Sequence, residues 1–341
     1  MKKLNVGIIG CGSIARLRHI PEYAVNPNVG NITFCDYKIE RAEKFASSYG
    51  SRAYVTHKEL LLHEKPDIVS ICTPLASHAN IAVDSANSGA HVLCEKPIAS
   101  SEVDAIAMIE AAKRNNVLLM IGHNQRFFPW HIKAKEIIKE GRLGKPLSFR
   151  SMFSHSGPEH WSADGINSWF FDKSQAMAGV VADLGIHKVD IIRWLLEDDV
   201  AEVGATMQTL CKTNTELDDN AVIMLRMKNG AIGVVEVSWT FPNGEKNTTE
   251  IIFERGIMKI DDYLTENVIV EFSNGTIEKY SFKQQTIGKR VQINSMVIDN
   301  FVNSVLNQTK PLISGEEGLK ALEIILAAIS SNEEKKLSLF K

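Results

Sequence analysis

Lys96 sits in the triplet Glu95-Lys96-Pro97, directly after the apolar run 92–94. An ammonium held at a strand end can stabilise a developing alkoxide. Read alone, it can equally be an ordinary solvated charge. Asp183 and His187 form a second candidate group. Four residues apart on a helix, they share one face, and Asp190 continues it. An imidazole titrates near neutrality and can take a hydroxyl proton, with a carboxylate to orient it. The pair could also be a structural hydrogen bond. Asp183 and Gly185 are poor mid-helix residues, so propensity alone does not place them there. There is no HEXXH pattern and no cluster of further ligands, so no metal site is indicated.

Gly10-Cys11-Gly12-Ser13-Ile14-Ala15 is a third candidate, a GxGxxA turn between the β-rich run 4–9 and a helix-forming run. Gly10 permits the tight turn and Gly12 lets backbone approach a pyrophosphate. Ala15 lets helix and strand pack closely. The amides at the helix start, through Ser13 and Ile14, can hold the anion. Asp36 follows the strand 32–35, about twenty residues past the glycines, where a carboxylate would bond ribose hydroxyls. It would also repel a 2′-phosphate and so favour NAD over NADP, a preference that Lys38 and Arg41 could soften. The structural alternative for Asp36 is a helix cap.

The elements that must position these residues alternate. Helical stretches at 41–49, 58–63, 79–88 and 101–115 separate strands near 53–55, 67–72, 91–94 and 117–121. That alternation predicts a parallel, doubly wound sheet. The ends of two strands, Thr73-Pro74 with His78 nearby and Glu95-Lys96-Pro97, then face the same edge as the glycine turn. A helix break is expected near His19–Pro21. After Gly122-His123-Asn124-Gln125-Arg126 the character changes. A helix over 131–139 and a strand over 147–154 precede a long aromatic loop, 155–178, carrying His155, Trp161 and Trp169. Loops of that length are usually functional, although this one could be a surface excursion packed by its own aromatics. A helix over 179–196 follows. Strands are expected at 203–210, 221–227, 232–240, 249–253, 258–261, 267–272 and 276–281, read as an antiparallel meander with Asn229-Gly230 and Asn274-Gly275 hairpins. Helices over 291–306 and 316–329 close the chain. The domains expected are 1–122 and 123–341.

Composition sets the outer limits. A chain of 341 residues suggests two domains. A net charge of −3 provides no basic footprint for nucleic acid. No run approaches the length of a membrane span, and 1–9 is too short and too soon broken to be a signal peptide. Cys11, Cys35, Cys72, Cys94 and Cys211 have no CxxC spacing, which fits free thiols in a reducing cytoplasm.

Taken together, the Gly10–Ala15 turn with Asp36, Thr73-Pro74 with His78, Glu95-Lys96-Pro97, the Asp183-to-His187 pair and the closing Gly315-Glu316-Glu317-Gly318 resemble the glucose–fructose oxidoreductase/inositol dehydrogenase (Gfo/Idh/MocA) family over essentially the whole length. The resemblance implies an α/β Rossmann domain followed by an α+β domain with an open, mainly antiparallel sheet. It implies an NAD-dependent dehydrogenase acting on a secondary hydroxyl of a sugar, inositol or sugar derivative. Lys96 would hold the hydroxyl and the nicotinamide region, His187 would be the general acid/base, and Asp183 would orient substrate or imidazole. Glu95 and Asn124 would lie along the cofactor, and Arg126, His155 and Trp169 would contact substrate. A homo-dimer or homo-tetramer through the antiparallel sheet is implied as well. Two other readings stay open: a glycosidase with tightly held NAD and no net oxidation, and a ligand sensor without catalysis. The intact Lys96, Asp183 and His187 argue against the sensor.

Overall fold

The first half builds six strands: β1 (Leu4–Ile9), β2 (Val29–Cys35), β3 (Ala53–Tyr54), β4 (Ile68–Ile71), β5 (His91–Cys94) and β6 (Leu119–Ile121). They come from a computed structural model that describes residues 3–262, 264–283, 286–287, 292–335 and 338–339. The strands lie in the order β3-β2-β1-β4-β5-β6. Every pairing is parallel. β4, β5 and β6 are almost continuously buried, as expected of strands covered on both faces. The connecting helices are α1 (Ile20–Val25), α2 (Ile39–Tyr49), α3 (His57–Glu64), α4 (His78–Asn87) and α5 (Glu102–Arg114). Ser101 caps α5 by accepting the Asp104 amide at 3.1 Å. The strand order reverses between β1 and β4, the switch point where such sheets bind ligands.

The break expected at His19–Pro21 does not occur. A π-helical turn, Ala15–His19, runs directly into α1, with Pro21 in its first turn. A missing N–H is tolerated there, so the proline does not end the helix.

The second half contains α6 (Pro129–Lys139), β7 (Pro146–His155), α7 (Lys173–Ala176), α8 (Ile186–Leu196), β8 (Val200–Gln208), β9 (Asn220–Met227), β10 (Ile232–Ser238), β11 (Glu245–Phe253), β12 (Gly256–Asp261), β13 (Val268–Phe272) and β14 (Ile277–Tyr280). A short pair, β15 (Thr286–Ile287) and β16 (Gln292–Ile293), precedes α9 (Val297–Asn307), α10 (Gly315–Glu334) and β17 (Ser338–Leu339). The helix expected over 291–306 starts at Val297, and Val291 itself lies outside the described residues. The hairpins at Gly230 and Gly275 form, with φ of 95° and 86°.

The large sheet runs β14-β13-β12-β11-β7-β10-β9-β8-β17. It is not the plain meander expected. β7 is inserted between β11 and β10, parallel to β10 and antiparallel to β11. Local pattern marks each strand but not which distant strand it joins. Inward residues such as Phe149, Ile223, Val237 and Ile251 pack with Trp130 of α6, Ile192 of α8 and Ile325 of α10 in one core.

The chain divides into two units. One comprises Met1–Asn124, Trp161–Ala163 and Gln284–Lys320, and the other Gln125–His160, Asp164–Lys283 and Ala321–Lys341. Residues 284–320, which a boundary at 122/123 assigns to the second domain, thus belong with the first. In that unit, Cβ atoms at Gly315 and Gly318 would lie 2.8 Å and 2.6 Å from Leu119 and Ile121 of β6, so small residues let α10 seat there.

Arg126 and Asp190 anchor the second unit. The guanidinium donates through Nε at 2.9 Å and Nη2 at 2.6 Å to the two carboxylate oxygens. Both side chains are buried. Breaking such a pair on one side leaves an uncompensated charge. Asp190→Ala is expected to lose about 3–5 kcal/mol of stability, read as a urea midpoint. Arg126→Met combined with Asp190→Leu should recover most of it. An unchanged midpoint in Asp190→Ala would contradict this assignment.

Candidate active site

Register lines up four strand ends in the first unit. Ile9 pairs with Ile71, Ile71 with Cys94, and Cys94 with Ile121. The turns that follow therefore share one edge: Gly10–Ile14, Thr73-Pro74, Glu95–Pro97 and Gly122–Asn124. Gly10 has φ of 88°, and a Cβ there would fall 2.6 Å from the Cys72 carbonyl oxygen. Only glycine fits so close to the neighbouring turn. At Gly12 a Cβ would meet nothing within 4 Å. The protein leaves that space open, which suits a pyrophosphate at the helix start. Ile14 is half-buried with helical backbone. Ser13 is buried, and its hydroxyl donates to the Trp161 carbonyl at 2.9 Å.

Asp36 is buried at the end of β2. One carboxylate oxygen accepts the Cys11 amide at 2.8 Å, and the other accepts the Lys38 amide at 2.9 Å. It therefore shapes the glycine turn and the approach to α2, whose N-cap is Lys38 and not Asp36. His78 joins two of the turns. Its Nδ1 lies 2.9 Å from the Pro97 carbonyl oxygen and its Nε2 3.0 Å from that of Thr73. Burial pushes it toward the neutral form, against the two carbonyls that favour a proton. Thr73 also accepts from Ser77 at 2.7 Å. The Lys96–Pro97 bond is cis. Asn124 is buried, its amide bonded to the Gly122 carbonyl at 2.9 Å.

Glu95 points inward, and its partners were not apparent from the sequence. His19 Nε2 lies 2.9 Å from its Oε1, and Arg18 Nη1 lies 3.5 Å from the same oxygen. His19 Nδ1 in turn meets Ser70 Oγ at 2.7 Å. Burial pushes this carboxyl up, but His19, Arg18 and Lys96 outweigh it and hold the pKa at about 2. Lys96 itself is half-buried at the same turn.

In the second unit the expected helix 179–196 opens with a π-helical turn, Val181–Gly185, before α8. Asp218 holds this start by accepting the amides of Gly179 at 2.7 Å and Val181 at 2.8 Å. Burial raises its pKa to about 6 despite those donors. Asp183 and His187 are both buried. Trp239 Nε1 donates to Asp183 Oδ2 at 3.1 Å. The edge of Phe153 meets the His187 ring at a centroid distance of 5.8 Å. Asp190, expected to continue the Asp183–His187 face, is committed to Arg126. Lys188, next to His187, is fully buried and donates to Asn247 at 2.7 Å. Burial lowers its pKa to about 8, although Asp262 and Asp261 oppose this. Of the expected substrate contacts, Arg126 is buried in its ion pair. His155 stands 4.0 Å from Asp183. Trp169 stacks on Phe170 at 3.9 Å, and Phe170 and Phe171 in turn meet Trp239 edge-on. Phe170 and Phe171 of the aromatic loop thus pack on Trp239.

Comparison with known proteins matches residues 4–123 to an "Oxidoreductase family, NAD-binding Rossmann fold" and residues 131–259 to a "GFO/IDH/MocA C-terminal domain". A myo-inositol 2-dehydrogenase of Thermotoga maritima is 27% identical, covering 98% of this chain and 97% of its own. A levoglucosan dehydrogenase of Pseudarthrobacter phenanthrenivorans is 29% identical over 83% of this chain and 80% of its own. A solved structure of levoglucosan dehydrogenase in complex with NADH superposes with a TM-score of 0.87 at 25% identity, covering 100% of both chains.

Two tests separate fold from site. Gly12→Val adds volume only to open space, so the protein should melt as wild type yet lose calorimetric binding of NAD. Wild-type affinity in that variant would contradict the assigned cradle. Because the Glu95 carboxyl is depressed, its contribution is present above about pH 4.5 and fades as pH falls toward about 2. Glu95→Gln should flatten that acid limb of stability, and an acid limb identical to wild type would disprove the buried pair's role.

Proposed function

Because the chain belongs to the Gfo/Idh/MocA oxidoreductase family, we propose that it transfers a hydride between a secondary hydroxyl of a sugar, inositol or sugar derivative and NAD. The observation that carries this reading is the shared edge of the four strand-end turns, with open space over Gly12 and Lys96 beside it. The similar full-length proteins are named for inositol and levoglucosan, which supports a hydroxylated ring as substrate.

NAD, bound along the turns of this edge, supplies the hydride acceptor. The Gly12–Ile14 amides would hold its pyrophosphate, and Thr73, Pro74, Glu95 and Asn124 would border it. The Asp36 carboxylate would accept from the ribose hydroxyls, which disfavours NADP. Lys96 donates to the substrate oxygen and stabilises it as alkoxide character develops. His187 takes the hydroxyl proton, and Asp183 orients that exchange. Trp169 and His155 are the proposed contacts of the substrate side. Arg126 is left out, since Asp190 holds it in the interior.

We also propose a homo-oligomer built on the outer face of the large sheet. Val222, Met224, Ile232, Ile252 and Ile277 are exposed there, and register places them all on the outward rows. Among the described residues no helix is long and apolar enough to cross a membrane. The free thiols of Cys11, Cys35, Cys72, Cys94 and Cys211 support a reducing, cytoplasmic setting.

Incubation with NAD and a panel of inositols, aldoses and anhydrosugars should accumulate NADH with at least one member. Lys96→Ala and His187→Ala should each lower kcat by about a hundredfold or more, with NAD affinity unchanged. His187→Ala at wild-type turnover would remove the base assignment. Preference for NADP would remove the role given to Asp36.

A further inference from the structure

Among the described residues, β7 and β10 are the one parallel pair in the large sheet. A parallel pair brings two carboxyl ends together, and in sheets of that kind such ends carry sites. The register closes with Ser154 opposite Ser238. His155 and Trp239, the next residues along, therefore stand side by side. Both follow the inward rows of Phe153 and Val237, which face the core.

Both side chains reach Asp183. The Trp239 indole N–H donates to Oδ2 at 3.1 Å, and His155 Nε2 is 4.0 Å from the same oxygen. Trp239 and Asp183 are buried, and the His155 side chain is 13% exposed, so these contacts are shielded from water. Contacts of this kind are often long before substrate binds and tighten afterwards.

The His155 tautomer is set locally. The Gly157 amide donates to Nδ1 at 2.9 Å. A ring nitrogen that accepts carries no proton, so the neutral imidazole keeps its hydrogen on Nε2, the nitrogen facing Asp183. Gly157 has φ of 116°, and a Cβ there would fall 2.3 Å from Glu159 Oε2 and 2.6 Å from Lys212 Nζ. The turn that presents this amide is one that glycine can make and other residues cannot without strain. Phe153 lies edge-on to both imidazoles, 6.2 Å from His155 and 5.8 Å from His187. It spaces them, so His155 is directed to Asp183.

We propose that His155 and Trp239 are positioning residues, which aim two N–H donors at one oxygen of Asp183 and so fix the direction in which its other oxygen points. This rests on the reading of Asp183 as the group that orients the proton exchange. It gives His155 work through Asp183 in addition to its place on the substrate side, and gives Trp239 a role that the sequence did not suggest. Two fixed donors keep the carboxylate from turning away as the proton moves.

The test begins without substrate. In full-length protein labelled with ¹⁵N-histidine and loaded with NAD, the resonance lost in His155→Gln should report a bare Nδ1 and a protonated Nε2. The opposite tautomer would overturn the proposal. With a polyol that the protein oxidises, Trp239→Phe keeps the aromatic wall but removes the donor. It should lower kcat about tenfold while KM and NAD affinity stay within about twofold. His155→Leu should behave likewise, and His155→Gln, whose amide can still donate, should regain most of the rate. Wild-type kcat in both Trp239→Phe and His155→Leu, beside an inactive Asp183→Asn, would overturn this inference and leave the reading of Asp183 standing. Full turnover in Asp183→Asn would overturn both.

Discussion

A carboxylate with no water around it needs partners, and Glu95 sits at the end of β5 with almost no exposure. Burying such a group unpaired is strongly unfavourable. His19 and Arg18 meet that need, and both lie in or beside the π-helical turn that follows the glycine loop. One buried charge therefore ties the helix that starts the nucleotide turn to the strand that ends in Lys96. Glu95 is drawn inward while the next residue, Lys96, remains partly exposed at the edge. The position of the Lys96 ammonium thus depends on an interaction one residue away. The proline after it and the His78 bridge between the Thr73 and Pro97 carbonyls hold the remainder of the turn.

The second unit follows similar logic with different parts. Its helix carries Asp183 and His187 in a stretch whose own propensity is poor, and external groups hold it in place. Asp218 ties down the opening turn, Arg126 fixes Asp190 further along, and Lys188 reaches into the interior toward Asn247. The π-helical turn at Val181–Gly185 is itself a departure of the kind that often accompanies a functional position. Buried polar groups recur along this helix: Asp183 meets Trp239, Lys188 meets Asn247, Asp190 meets Arg126 and Arg193 meets Asp199.

What could be read from the sequence follows from the range of the interactions concerned. The parallel sheet was legible because covered strands are continuous apolar runs and each ends in a local punctuation: Gly10, Thr73-Pro74 or Pro97. Ser101 as a cap and the two Asn-Gly hairpins were legible for the same reason. The π-helical turns were not, because a five-residue turn leaves no hydrophobic period of its own. That is why Pro21 reads as a break and proves to be in the first turn of a helix. Strand order in the large sheet was not legible either. β7 joins β10 across some eighty residues of sequence, and no local pattern encodes that pairing. Trp239 was missed as a consequence, since only the pairing puts it beside His155. Arg126 is a substrate contact only by what the family resemblance implies, and no local pattern shows where its guanidinium goes. Asp190, sixty-four positions away, takes it inside.

In the proposed reaction, hydrogen leaves a ring carbon of a polyol as hydride and stays on the nicotinamide. The most direct measurement uses a polyol that the protein turns over, deuterated at the reacting carbon, with mass spectrometry of the NADH produced. One deuterium on the nicotinamide ring per turnover is expected, with none appearing in water. Deuterium released to solvent, or product formed while NAD remains unlabelled and oxidised, would contradict it.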